Sequence, residues 1–210
     1  MGHIDDLAGS GDAELALRAG QGDRRAFEVL AGRWWDRLRR LAASGTGLDP
    51  VAAEEVAQDA LVRIYEALPR FRGESSFGTF AWRVCRNAVC DAKRRLWRER
   101  RHRAPEPALA AADAAGDLPA AGPEGLELAD RSRGPEEEAL RSDAVRALRQ
   151  ALGGLAPEER ALIHLYEAEG LDMAELSVIF EVAEGTIKSR LHRTRARLGR
   201  ALEEAGYGPP

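Results

Sequence analysis

The sequence predicts an all-α protein: two small helical domains joined by a flexible linker, the C-terminal one containing a helix-turn-helix. Ala, Leu, Arg and Glu dominate its 210 residues, and β-branched runs are nearly absent. Apolar residues recur in steps of three and four on both sides of one Pro/Gly-rich stretch. That stretch, residues 104–135, keeps neither a helical nor an alternating period and is mostly small and acidic, which is the composition of an extended linker. The modules on either side, of about 80 and about 70 residues, are large enough to fold alone.

Residues 1–23 form an acidic segment leading into the first helix. In AELALRAGQGDRRAFEVLAGRWWDRLRRLAAS, residues 13–44, Phe27, Leu30, Trp34, Leu38 and Leu41 lie on one stripe and mark an amphipathic helix. After a Gly/Asp/Pro break at 45–50, VAAEEVAQDALVRIYEALPRF aligns Val56, Ala60, Ile64 and Leu68 until Pro69 stops the helix. RGESS reads as a turn. A third helix, FGTFAWRVCRNAVCDAKRRLWRERRHR, begins near Ser76 and closes a first domain of residues 24–103.

The second domain, residues 136–205, opens with an amphipathic helix near Pro135–Leu152. LAPEERALIHLYEAEG then places Pro157 in a first turn with acids behind it, and Gly170 ends that helix. LDMAELSVIF is a short helix, EVA a tight turn, and a longer helix starts at Glu184. Two helices joined by three or four residues have helix-turn-helix spacing. Residues 206–210 read as a disordered tail.

The formal net charge of −4 hides a segregation. Residues 24–103 carry +8, while residues 1–23, 104–142 and 143–210 carry −4, −6 and −2. A basic block between acidic ones points to an anionic partner for one part of the chain. The final helix repeats the pattern locally, with six basic residues between Lys188 and Arg200. On a helical wheel Ile187, Leu191, Thr194, Leu198 and Leu202 form a core seam. Arg190, Arg193, Arg197 and Arg200 gather on one flank, Lys188 and Arg195 on the other, with Ser189 and His192 between. No acid stands between Gly185 and Arg200 to balance them by i,i+4 pairing, so a polyanion is the natural counterpart, and duplex DNA fits the helix-turn-helix context.

Other chemistries find little support. Cys85 and Cys90, five apart on a helix, point about 140° from each other, so a disulfide is not expected. The four histidines are scattered and build no metal site. No P-loop, HExxH or paired-carboxylate setting occurs, so no catalytic residue, metal or cofactor is assigned. No run of eighteen apolar residues occurs, and the N-terminus lacks the order of a signal peptide. A cytoplasmic protein without membrane insertion is expected.

GTIKSRLHRTRARL, preceded by LAPEERALIHLYEAEGLDMAELSVIF, closely resembles region 4 of bacterial sigma-70-type factors, especially the extracytoplasmic-function group. GDRRAFEVL, EEVAQDALVRIYEAL and LPRFRGESSFGTFAWRVCRNAVCDAKRR resemble successive parts of region 2 of the same group. The resemblance implies a promoter-specificity subunit that directs core RNA polymerase and aids −10 melting. Its partners would be core polymerase (the β′ clamp helices and the β flap), promoter DNA and an anti-sigma factor. Glu55, Gln58, Asp59 and Arg63 would face the clamp helices. Arg72, Ser75, Ser76, Trp82, Arg83, Asn87 and Arg94 would serve the −10 element, where interleaved aromatics and arginines suit unpaired strands. Phe80, repeating with Val84, Ala88 and Ala92, is assigned to packing.

In the −35 groove Arg190 and Arg193 would touch bases or phosphates, with Lys188, Ser189, Arg195 and Arg197 holding the backbone. The acidic linker would thread the polymerase interior. Two positions depart from the family pattern: Glu181 stands where the turn usually carries glycine, and Ala183 where the helix usually has a capping Ser or Pro. The rival readings are a stand-alone helix-turn-helix regulator that binds duplex DNA without polymerase, and, more weakly, a nuclease.

Overall fold

The computed structural model describes residues 7, 9–46, 50–103 and 135–207. Residues 104–134 of the expected linker, residues 1–6 and 8 of the N-terminal acidic segment and the last three residues of the expected tail lie outside these. Among the described residues every element is helical: α1 (Asp12–Gly20), α2 (Arg24–Thr46), α3 (Pro50–Ala67), α4 (Phe77–Arg103), α5 (Pro135–Gly153), α6 (Pro157–Ile163), α7 (Met173–Phe180) and α8 (Glu184–Glu204). A 3-10 turn at Leu68–Arg70 follows α3, and a π-helical turn at His164–Ala168 extends α6.

The first helical stretch, residues 13–44, is two helices rather than one, and its apolar stripe lies wholly on the second. Gly22 adopts φ +98°, a conformation that costs glycine little, and Asp23 restarts the chain. Its Oδ1 accepts from the Arg25 and Ala26 amides at 3.1 and 3.2 Å, and its Oδ2 holds Arg18 at 2.8 Å. The Ala26 amide first, then Arg18, keeps the Asp23 carboxyl below its ordinary pKa. Gly20 lets α1 approach the end of α3 closely, since a Cβ there would stand 2.6 Å from the Leu68 carbonyl oxygen.

The first bundle packs α2 against α1, α3 and α4. Leu30, Trp34, Leu38 and Leu41 of the predicted stripe are buried, as are Val56, Ala60, Ile64 and Leu68 of α3. Phe27 packs at the edge, 4.7 Å from the Tyr65 ring. Cys85 is buried and its thiol pushed up to about 12 by desolvation, while Cys90 is half-buried; both are free thiols.

In the second bundle α8 packs on α5, α6 and α7. The Glu159 carboxylate reaches back to the Ala156 amide at 2.9 Å, while Asp172 and Glu175 cap α7 reciprocally at 2.8 and 3.1 Å. Such boxes satisfy amides that helix starts leave unpaired. The π turn was not legible in the sequence; it ends with Glu169 N–H donating to the His164 carbonyl at 3.3 Å.

Both departures at the helix-turn-helix are visible. Glu181 sits in the left-handed region at φ 56°, ψ 40°, and Ala183 offers α8 no side-chain cap. The double substitution Glu181→Gly, Ala183→Ser relieves one cost and supplies the missing cap, each worth about 1 kcal/mol. A gain of about 1–2 kcal/mol is expected in urea unfolding, with the exposed cationic side of α8 untouched.

Candidate nucleic-acid interface

Helix α8 presents its cations as the wheel predicts. Ile187, Leu191 and Thr194 are buried, the Thr194 hydroxyl donating to the Arg190 carbonyl at 2.9 Å. Lys188, Ser189, His192 and Arg193 are exposed and Arg190 is half-buried.

The cations are not equally available. Arg195 donates to Glu167 at 2.9 Å through Nε and lies 4.8 Å from the Tyr166 ring centroid. Arg197 grips Glu159 at 2.7 and 2.9 Å and the Gly154 carbonyl at 3.1 Å. The counter-charges absent from α8 itself therefore come from α6 and its π turn, across the bundle. Pairing with Glu167 raises the Arg195 pKa. Among the described residues Lys188, Arg190, Arg193 and Arg200 form no ion pair, and Arg193 touches only the Ser189 carbonyl at 3.4 Å. The free positive face is Lys188, Arg190 and Arg193, with the Ser189 hydroxyl beside them. The two paired arginines thus also tie α8 to its own bundle.

The second basic surface lies at the start of α4. Ser76 caps the helix, its Oγ accepting from the Thr79 amide at 3.0 Å and meeting the Thr79 hydroxyl at 2.9 Å. The hydroxyl of this residue is thus spent on the backbone, whereas the Ser75 hydroxyl makes only a 3.4 Å contact with the Ser76 carbonyl. Arg72 is exposed in the preceding loop, and Arg83 and Asn87 are half-exposed on the first turns of α4. Asn87 Oδ1 accepts from Arg86 at 2.7 Å, so Arg86 orients it. Arg94 is largely exposed, at 3.3 Å from Asp91.

Trp82 corrects the sequence reading. It was expected on the surface for base stacking, but it is fully buried. Its ring meets Trp34 edge-on with centroids 5.2 Å apart, and Arg37 lies 5.2 Å from it and 4.2 Å from Trp34. The cause is that α4 buries two faces. Phe80 and Ala88 belong to one stripe, and Ala81, Trp82, Cys85 and Val89 fill the other, because α4 packs on both α2 and α3. Phe77 and Phe80 are buried and Phe71 partly so, the three rings packing together. Those aromatics are core rather than a stacking platform.

On α3, Glu55 and Gln58 are exposed alongside Val51, Val62 and Tyr65, so apolar and polar groups share one open face. Asp59 and Arg63 are half-buried. Arg63 joins α3 to α4 by donating to Asp91 at 2.6 Å and to Asp59 at 3.2 Å. The hydrogen bond to Asp91 raises the Arg63 pKa, and the same contact lowers that of Asp91. Part of Arg63's role is thereby structural.

Sequence models of two families match these surfaces: sigma-70 region 2 over residues 30–99 and sigma-70 region 4 over residues 145–198. The chain is 32% identical over 193 residues to the ECF RNA polymerase sigma factor SigM of Mycobacterium tuberculosis, covering 91% of this chain and 84% of that one. It is 30% identical over 192 residues to the RNA polymerase sigma-H factor of Pseudomonas aeruginosa, covering 91% and 94%. The chain belongs to the extracytoplasmic-function RNA polymerase sigma factors.

The fold of this sigma factor is that of solved relatives. CnrH in complex with the cytosolic domain of CnrY superposes with a TM-score of 0.62 at 22% identity, over 93% of this chain and 99% of that one. RpoE bound to the anti-sigma factor NepR from Bartonella quintana gives 0.60 at 24%, over 84% and 96%. Among its described residues the sigma factor has no helix long and apolar enough to cross a membrane.

Three residues that matter to these surfaces were missed in the sequence. These are Arg86, Glu159 and Glu167, none of which the sequence pattern singles out. Steps of three and four cannot show them, because their partners lie on other elements.

Proposed function

We propose that this sigma factor, which directs core RNA polymerase to promoters, grips DNA through two surfaces of different character. Helix α8 lies in the −35 major groove with Arg190 and Arg193 against bases or phosphates, and Lys188 and Ser189 on the backbone. The loop and first turns of α4, through Arg72, Ser75, Arg83 and Asn87, engage the separated −10 strand, while Ser76 holds the helix start in place and Arg94 meets phosphate further along. The open α3 face around Glu55 and Gln58 docks on the polymerase clamp, with Asp59 and Arg63 at its edge. The protein carries out no bond chemistry of its own.

The observation that carries this reading is the unpaired trio Lys188, Arg190 and Arg193. Neighbouring arginines on the same helix are neutralised by Glu159 and Glu167, so the trio stands out as charge left for a polyanion. Anti-sigma control is supported by the likeness to CnrH and RpoE, which are held by CnrY and NepR. Run-off transcription on a genomic fragment library, with purified chain and core enzyme, tests the reading. Discrete transcripts are expected only when both are present. Tight sequence-specific duplex binding by the chain alone, with no core-dependent transcript, would overturn it.

A further inference from the structure

One face of α4 carries Arg83, Asn87, Asp91 and Arg94, within about 80° of one another on a helical wheel. The two arginines suit phosphates, and Asp91 is already held by Arg63 at 2.6 Å and by Arg94 at 3.3 Å. Asn87 is the uncharged amide left between them to meet a base.

Its neighbour fixes how it does so. Arg86 donates to Asn87 Oδ1 twice, through Nη2 at 2.7 Å and through Nε at 3.2 Å. Adjacent residues on a helix do not face each other, so the guanidinium has to curl sideways to make this pair. A guanidinium carries donors and no acceptor, whereas a side-chain amide has one acceptor oxygen and one nitrogen with two donors. The oxygen of Asn87 is thus spent on Arg86. Its Nδ2 makes no hydrogen bond among the described residues, and the residue is half-exposed, which leaves two N–H donors for a ligand.

We propose that Arg86 is a positioning residue for base reading: it makes Asn87 a donor-only reader that takes a base with two adjacent acceptors and rejects adenine. This rests on the reading above in which the first turns of α4 engage the separated −10 strand. A free asparagine pairs with adenine by accepting from N6 and donating to N7. That pairing needs the oxygen that Arg86 occupies. Adenine sets its N6 donor beside N7 and beside N1, so on either edge a donor-only amide meets a donor. Guanine offers O6 beside N7, and unpaired cytosine offers O2 beside N3. Both place two acceptors within reach of one amide nitrogen. Thymine, whose two acceptors are separated by N3–H, falls between. The positive charge on Arg86 strengthens its bonds to Oδ1 and polarises the amide, which improves the outward N–H groups as donors.

A single-stranded DNA pool with a short randomised stretch between fixed flanks tests this. It is captured by the full-length chain assembled with core polymerase and sequenced, with core alone as background. For the unaltered chain, one position is expected to show adenine depleted about tenfold against guanine or cytosine, the scale of a lost base-edge pair. Asn87→Ala should erase that depletion. Arg86→Met should raise adenine about tenfold at the same position and nowhere else, whereas Arg86→Lys, which still donates to Oδ1, should keep the depletion. The ratio is read within the bound fraction, so a poorly folded variant lowers the yield and not the preference. Loss of the Arg86 contact with the Phe180 ring, 5.4 Å to its centroid, would not move it either. If Arg86→Met leaves the Asn87-dependent position unchanged, or if the Met and Lys variants alter it alike, the positioning role is overturned while the reading of α4 stands. If Asn87→Ala alters no position, that reading of Asn87 falls and the proposal with it.

Discussion

Replacing Arg190 and Arg193 together by alanine is expected to weaken recruitment to a −35-containing promoter by about 100-fold or more. In the proposed −35 docking each arginine would contact either a base edge, worth roughly 1–3 kcal/mol of discrimination, or a phosphate, whose loss would flatten the salt dependence by about one unit of slope. The stability of the fold should hardly change, because neither side chain forms an ion pair among the described residues. Arg197→Ala is the control. Its guanidinium belongs to Glu159 and the Gly154 carbonyl, and a half-exposed pair of this kind is worth about 0–1 kcal/mol. Promoter binding titrated at several salt concentrations, beside urea unfolding of each variant, separates the two classes. Equal losses of binding for Arg197→Ala and the double variant would show that the free trio has no special part.

Trp82→Ala is expected to destabilise the first bundle by about 3–5 kcal/mol, the usual cost of emptying a large aromatic site. Domains of this size are stable by only about 5–15 kcal/mol, so much of the chain would be unfolded at moderate temperature and activity would fall with it. Arg83→Ala offers the contrast: a half-exposed side chain whose loss should leave the unfolding curve in place while slowing strand opening. Thermal unfolding followed by circular dichroism, read beside permanganate detection of the melted −10 region, tells packing from strand capture. Had Trp82 been a stacking residue, its alanine variant would have behaved like Arg83→Ala.

The difference between these two neighbours shows where periodicity stops informing. Phe80, Val84, Ala88 and Ala92 repeat every four residues, and a single buried stripe leaves Trp82 facing outward. Helix α4 buries a second stripe because it lies in the groove between α2 and α3, and no pattern within α4 reports how many neighbours it has. The same blindness explains Glu159 and Glu167. They lie 38 and 28 residues before the arginines they neutralise, beyond any i,i+4 rule. By contrast, the strained turn at Glu181 was legible through the family resemblance, which puts glycine at that position and a capping residue at Ala183, and both features depend only on the local backbone.

Local chemistry was therefore settled by order of residues alone: helices from steps of three and four, the helix-turn-helix from two apolar stripes around a tight turn, and a cationic final helix from its lack of nearby acids. Only tertiary packing decided which of those cations stay free, that Trp82 is core, that Gly22 and Asp23 split the first helix, and that Glu169 reaches across to Arg37. The reason is range. Backbone propensity and side-chain spacing act within a turn or two of helix, whereas burial and charge pairing depend on which distant surface arrives alongside.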